Sequence, residues 1–323
     1  MIDRRSFVVA LTGGLFALPS ITGAQQARKI PIVGFLSSGS GETLDQFRVA
    51  MHELGYVEGK NVVLELRLAS GKPEALPGLA IELVRLNVDV LYATGPPALR
   101  AARDATSVIP IVALDLETDP VQSGLVRSLA RPGGNITGLF LDLPALAGKW
   151  LELLETAAPG RRRIGLLWDS TTGSSQLDAA KAAAQRFELD LRIVEIHNSD
   201  DMDEALRNAV SKGARAMVML SSPTVSANSK QLAEFMIRNR LPAISPFRAF
   251  ADGGGLLSYG PNLTVFRRVA ASYIDSILKG AKPSDLPIHH PTTFELIINL
   301  KTAKTLGLTI LQSLLLRADE VIQ

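Results

Sequence analysis

The chain has 323 residues, 46% hydrophobic and 20% charged, enough to bury one large core or two of medium size. Lys and Arg number 34 against 32 Asp and Glu, with no long basic run, and aromatic residues make up only 5%, so the charge footprint and stacking platform of a nucleic-acid binder are both missing. Cysteine is absent, which excludes disulfides, thiolate catalysis and cysteine-based zinc sites.

Residues 1–24 read as a secretory signal peptide: Arg4 and Arg5 precede an apolar segment from Phe7 to Leu18, and the small residues Thr22, Gly23 and Ala24 suit cleavage before Gln25. The opening Arg-Arg-Ser-Phe resembles a twin-arginine signal. The apolar segment is shorter than the roughly 20 residues that span a bilayer, so the mature chain is expected in the periplasm with no membrane insertion.

From residue 30 onward, strand and helix patterns alternate. Ile30, Ile32, Val33, Phe35 and Leu36 form a short apolar run of buried-strand type; after a Ser/Gly loop, Leu44, Phe47, Met51 and Leu54 recur at helical spacing. Further strands follow around Val62 to Leu66, at Val88 to Leu91 and from Ile109, separated by helices marked by Leu76, Leu79, Ala80 and Leu83 and by the alanine-rich Pro97–Ala105. This order specifies an α/β class with a doubly wound parallel sheet. Pro132, Gly133 and Gly134 break the rhythm, and a second alternating series runs through Arg163–Trp168, Leu189–Ile196, Ala214–Leu220 and a helix from Val225 to Asn239. A second break lies at Gly253, Gly254 and Gly255, a helix spans Leu263–Leu278, and a third extended segment contains His289 and His290. The expected division is 28–134 plus 258–287 for one lobe and 135–257 plus 288–323 for the other: two Rossmann-like lobes with three crossings, near 134, 255 and 290. A hinge of this kind suits closure on a ligand.

Gly39, Ser40 and Gly41 start a dinucleotide fingerprint, but Leu44 stands where its third glycine belongs, and no G-K-[ST] follows, so no nucleotide cofactor is expected. No G-x-S-x-G elbow exists, and none of His52, His197, His289 and His290 has the setting of a catalytic base or a metal ligand. Polar residues instead recur at the carboxyl ends of strands, where ligands lie in open α/β sheets: Ser37 and Ser38, Thr94 and Gly95, Asp115 and Asp119, Asp169 and Ser170 after Trp168, and Ser221 and Ser222. Each residue alone is more often a helix cap or turn residue, and it is the recurrence in both lobes that points to a site. Together with the aromatics Trp168, Phe247 and Tyr259 they make an inventory for binding a small zwitterion, with no acid, base and nucleophile set. The anionic end is expected on Ser37, Ser38, Thr94 and Gly95. Asp169 and Asp119 compete as partner of an ammonium, and Ser170, Ser221 and Tyr259 complete the second wall.

Five blocks carry a resemblance: FRVAMHELGYVEGKNVVLELR, LAIELVRLNVDVLYATGPPALRAARDATSVIPIV, DPVQSGLVRSLARPGGNITG, GGLLSYGPNL and YIDSILKGAKPSDLPIHHPTTFELIINLKTAKTLGLTI. They resemble the solute-binding proteins of ABC transporters, in the branch with tryptophan-binding-lipoprotein-like members, and span nearly the whole mature chain in order. The resemblance implies the type I periplasmic-binding fold, ligand capture between the lobes, delivery to the permease subunits of an importer, and no catalysis or cofactor. The sequence departs from that family's pattern at Ser245–Ala249, at Asp169 where asparagine is frequent, and at Leu311 where proline is usual. The expected function is capture of an amino acid or related small carboxylate. The alternative is a secreted enzyme on the same kind of fold, which a turnover assay separates.

Overall fold

A computed structural model describes residues 30–39, 44–116 and 119–323; the signal segment at 1–24 and the loop residues Ser40, Gly41, Glu42 and Glu117 lie outside the described residues. The first sheet is built from β1 (Ile32–Ser37), β2 (Val63–Leu68), β3 (Val90–Thr94), β4 (Ile111–Ala113) and β5 (Ile136–Gly138), all parallel in the order β2-β1-β3-β4-β5. Helices α1 (Leu44–Glu53), α2 (Leu76–Arg85) and α3 (Pro96–Ala105) connect these strands. In α1 the buried positions are Leu44, Phe47, Ala50 and Met51, one face at helical spacing. Phe47 stacks on Tyr92 at 4.7 Å between ring centroids, and Phe35 meets Tyr92 edge-on at 5.4 Å. Full burial of each such ring contributes roughly 1.5–3 kcal/mol, and their contact fixes α1 against the centre of the sheet.

The second half runs α4 (Ala147–Ala157), β6 (Arg163–Asp169), α5 (Ser175–Arg186), β7 (Asp190–Ile196), α6 (Met202–Ser211), β8 (Ala216–Met219), α7 (Pro223–Ala227), α8 (Ser229–Arg238), β9 (Ala243–Ser245), α9 (Arg248–Asp252) and β10 (Leu257–Gly260). After α10 (Leu263–Leu278) come β11 (Glu295–Asn299), α11 (Leu300–Thr305), α12 (Gln312–Leu315) and β12 (Glu320–Ile322). Seven strands form the second sheet in the order β12-β11-β10-β9-β8-β6-β7. All its pairings are parallel except β10 with β11, where Gly260 faces Glu295. The chain leaves β10 toward the first lobe and re-enters β11 from it, so these two strands must run in opposite directions. The stretch read as one helix from Val225 divides at Asn228, whose side chain donates to the Thr224 carbonyl at 2.8 Å and terminates α7.

The crossings lie a few residues from where the glycine clusters placed them. Strand β5, assigned by sequence to the second lobe, pairs with β4 in the first sheet. Gly138 is required there: a Cβ on it would lie 2.1 Å from the Ala113 carbonyl oxygen. The Pro132–Gly134 turn is internal to the first lobe, with Arg127 N–H donating to Pro132. Strand β10, from Ser258 on assigned to the first lobe, belongs to the second sheet, and the chain crosses only at Pro261. Helix α10 then packs on α1, tied by Arg268 to Glu53 at 2.9 Å and by Tyr56 to Asp275 at 3.0 Å. The first crossing, beyond Gly138, and the third, through His289, lie side by side: Phe140 N–H donates to His289 at 2.8 Å and His289 N–H to Gly138 at 2.9 Å.

Candidate functional site

The carboxyl ends of β1, β3 and β4 face those of β8 and β9 across a cavity of about 740 Å³, including its open mouth. Concave interlobe clefts of this kind, largely apolar with a few convergent polar groups, are where small molecules bind. The first lobe contributes Ser37, Gly39, Thr94, Gly95, Pro96, Leu114 and Asp115; the second contributes Gln176, Ser221, Ser222, Pro223, Ser226, Ala227 and Phe247. Leu141 enters from the first crossing, and Leu263 and Arg267 from α10. Most of the wall is apolar, with hydroxyls, one carboxylate and one guanidinium set into it.

The residues singled out from the sequence fall into two groups. Ser37, Thr94, Gly95, Ser221 and Phe247 all line the cavity. The other six do not line it, and five of them are engaged in local contacts. Ser38 is buried behind the first loop, and its Oγ has no hydrogen-bond partner. Asp119 is exposed and accepts from the Val121 and Gln122 N–H groups at 3.0 and 2.8 Å, a turn cap. Asp169 is buried and accepts from Thr171 N–H and Oγ1 at 3.1 and 2.6 Å, which caps the single turn Ser170–Thr172. Trp168 donates to Gly173 at 2.8 Å, and Ser170 to the Ile196 carbonyl at 3.4 Å. Tyr259 packs its ring on Phe294, and its carbonyl accepts from Trp150. The end of the Asp169 loop, Thr172 and Gly173, borders a second, more polar compartment that shares Pro96, Asp115 and Gln176 with the main cavity.

Several lining residues carry specific bonding. Gln176 reaches the Ser221 main chain twice, accepting from its N–H at 2.9 Å and donating to its carbonyl at 3.1 Å, so the loop after β8 is pinned. Ser222 caps α7 by accepting from Val225 N–H at 3.0 Å. Asp115 accepts from Leu141 N–H at 3.4 Å across the first crossing. Arg267 is only 5% exposed; it donates to Gln46, and its Nε has no partner. Burial pushes its pKa below the ordinary arginine value, partly opposed by Tyr92, whose phenol burial drives upward. Sequence reasoning missed Arg267, although a signal was present: it stands on the same face of α10 as Ala270, Ala271 and Ile274, a cation on the apolar stripe.

The lobes touch across the cleft. A Cβ on Gly95 would lie 2.8 Å from Pro223 Cγ, one on Gly71 would lie 2.8 Å from Ser199 Oγ, and Arg100 donates to the Thr171 carbonyl. The arrangement is closed.

The sequence model described as ABC transporter substrate binding protein matches residues 29–322. The chain belongs to this family. Among curated relatives of this substrate-binding protein, the tyrosine-binding protein of Clostridioides difficile strain R20291 is 25% identical over 336 residues, covering 95% of this chain and 94% of the relative. Among solved structures, a conserved domain protein from Vibrio cholerae is 27% identical with a TM-score of 0.82, over 91% of this chain and 100% of that one. The domain from Streptococcus pneumonia in complex with L-Trp is 25% identical with a TM-score of 0.80, over the same shares. Like them, this substrate-binding protein consists of two α/β lobes; among its described residues, no helix is long and apolar enough to cross a membrane.

Proposed function

We propose that this substrate-binding protein captures an amino acid in its interlobe cleft, outside the cytoplasm, and delivers it to the permease of an importer without chemical change. The observation that carries the reading is the make-up of the interlobe cavity: apolar walls from Leu114, Leu141, Phe247 and Leu263, with one carboxylate and one guanidinium in the same space. A zwitterion with an apolar side chain matches this combination in charge and in polarity. The relatives add the class of side chain, since one is named for tyrosine and another is solved with L-Trp. An aromatic amino acid is therefore the first ligand to try. The hydroxyls of Ser37, Thr94 and Ser226, with Ser221 on the pinned loop, supply neutral bonds around it.

The competing reading, an enzyme on the same fold, needs a base beside one of these hydroxyls. Among the described residues no histidine lines the cavity, and Ser222 is engaged as a helix cap. Calorimetric titration of the mature chain with the amino acids, followed by recovery of the bound molecule and its mass, tests the proposal. Recovery of an unaltered amino acid with saturable binding is the expected result, and turnover of the bound molecule would overturn it.

A further inference from the structure

Among the described residues, several donors at the strand ends and helix starts around the cavity are missing or already engaged within the protein. Helix α3 opens with Pro96 and Pro97, which carry no N–H, so the turn after β3 lacks two of its usual donors. Gly39 N–H already donates to Ser37 Oγ at 3.1 Å, and Ser221 N–H to Gln176. A ligand carboxylate on these loops would meet hydroxyls but little positive charge.

Arg267 is the exception. It lines the cavity, is 95% buried (5% exposed), and among the described residues it pairs with no carboxylate. Its hydrogen-bond acceptor is the neutral Gln46, its Nε is unpartnered, and the nearby Tyr92 hydroxyl is unpartnered as well. Tyr92, which interacts with it, is itself packed against Phe47 and Phe35, an apolar setting. A buried cation without a counter-ion is strongly unfavourable unless something else supplies the charge. A ligand carboxylate is that counter-ion: guanidinium and carboxylate match in planar geometry and form charge-assisted bonds.

We infer that Arg267 is the anion seat of the cleft, and that the captured molecule must present a carboxylate to it. The inference deepens the amino-acid reading and rests on that use of the cleft. It moves the carboxylate from the β1 and β3 loops to α10, and leaves Asp115 on the same cavity wall for the ammonium. Arg267 then selects for acids over amines and amides.

The test uses the mature chain and three probe types: L-tyrosine and L-tryptophan; tyramine and tryptamine, which lack the carboxylate; and hydroxyphenylpropionate and indolepropionate, which lack the ammonium. Binding is read by calorimetry and by the ligand-induced rise in melting temperature. The parent protein is expected to bind the amino acids about 10- to 100-fold more tightly than the amines, the loss that goes with a charge-assisted bond. In Arg267→Gln that preference should vanish, with the melting temperature of the unliganded protein unchanged or raised; Arg267→Lys should restore part of it. Binding of the propionates but not the amino acids would uphold the anion seat while overturning the amino-acid reading. Amines binding as tightly as amino acids to the parent protein would overturn the anion seat while leaving the cleft reading intact. An equal loss for all probes in Arg267→Gln would also overturn it, because that reports a structural role. Absence of binding by any carboxylate probe would overturn both. If Arg267→Gln does not fold, Arg267→Lys decides: a reduced preference for the amino acids over the amines upholds the seat, and an unchanged preference overturns it.

Discussion

Gly95→Ala separates the strain of the backbone from the closure of the lobes. Gly95 has φ of 85° and ψ of 162°, a region that only glycine occupies readily, so alanine there costs about 1–3 kcal/mol in the open and the closed protein alike. Closure adds a second cost, because the new Cβ would sit 2.8 Å from Pro223 Cγ, whereas ordinary contact begins at 3.4 Å. Overpacking of this kind costs about 1–3 kcal/mol, and each 1.4 kcal/mol or so is tenfold in affinity, so the closed state and ligand binding should weaken by about 5- to 150-fold. The unliganded protein, free to open, pays only the backbone strain. Pro223→Ala removes the opposing Cγ and Cδ while leaving φ at position 95 untouched. The double variant Gly95→Ala with Pro223→Ala should therefore recover affinity but not thermal stability. Calorimetry measures the first, melting of the unliganded protein the second, and solution scattering follows the radius of gyration on ligand addition. If the double variant binds as weakly as Gly95→Ala alone, contact between Gly95 and Pro223 does not limit closure and the argument fails.

Three other outcomes follow from the same geometry. Gly138→Ala should abolish soluble expression, because its Cβ would overlap the Ala113 carbonyl at 2.1 Å; normal yield and melting would show that the β4–β5 pairing gives way easily. Gln176→Met removes both bonds to the Ser221 main chain and leaves a partly buried N–H unpaired, a loss of about 1–3 kcal/mol in stability. Weaker ligand binding, measured by calorimetry, should accompany it. Glu152 is held below its ordinary value by Lys149 and then Arg317, at 2.8 and 3.0 Å, so its contribution is present above the unfolded value near 4.5 and is lost as pH falls through the lower folded value. Because the pair is solvent-screened, Glu152→Gln should cost under about 1 kcal/mol at neutral pH and progressively less as pH falls below about 4.5, which denaturant titrations over that range would check.

The alternating architecture was legible because apolar strands and amphipathic helices are local patterns, and Ser37, Thr94, Gly95, Ser221 and Phe247 were legible because strand ends converge by topology. Asp119 and Asp169 show the limit of that logic. An aspartate that caps the next turn and one that faces a ligand occupy the same place in sequence, and only the positions of Val121, Gln122 and Thr171 distinguish them. Arg267 escaped because charge was sought in loops, while this cation stands in the middle of a helix face and becomes part of the cavity only when α10 packs across β3 and β4. The proline pair Pro96–Pro97 was readable in advance as a shortage of donors. The lobe boundaries were not, since the partners of β5 and β10 are set by pairing with strands distant in sequence.

The bonded pair of crossings at Phe140 and His289 also determines from which side the cleft can be entered. Two segments held by two hydrogen bonds cannot slide past each other without breaking both, so a swing about an axis beside β5 is the lobe movement that keeps both bonds. The opposite edges, beyond β2 and β7, carry Gly71 and Ser199 into contact and lie farthest from that axis. A rotation that barely moves the residues at the axis parts these rims most, like the tips of a jaw. A rotation of that kind would open the cleft at the rims around Gly71 and Ser199, away from the paired crossings.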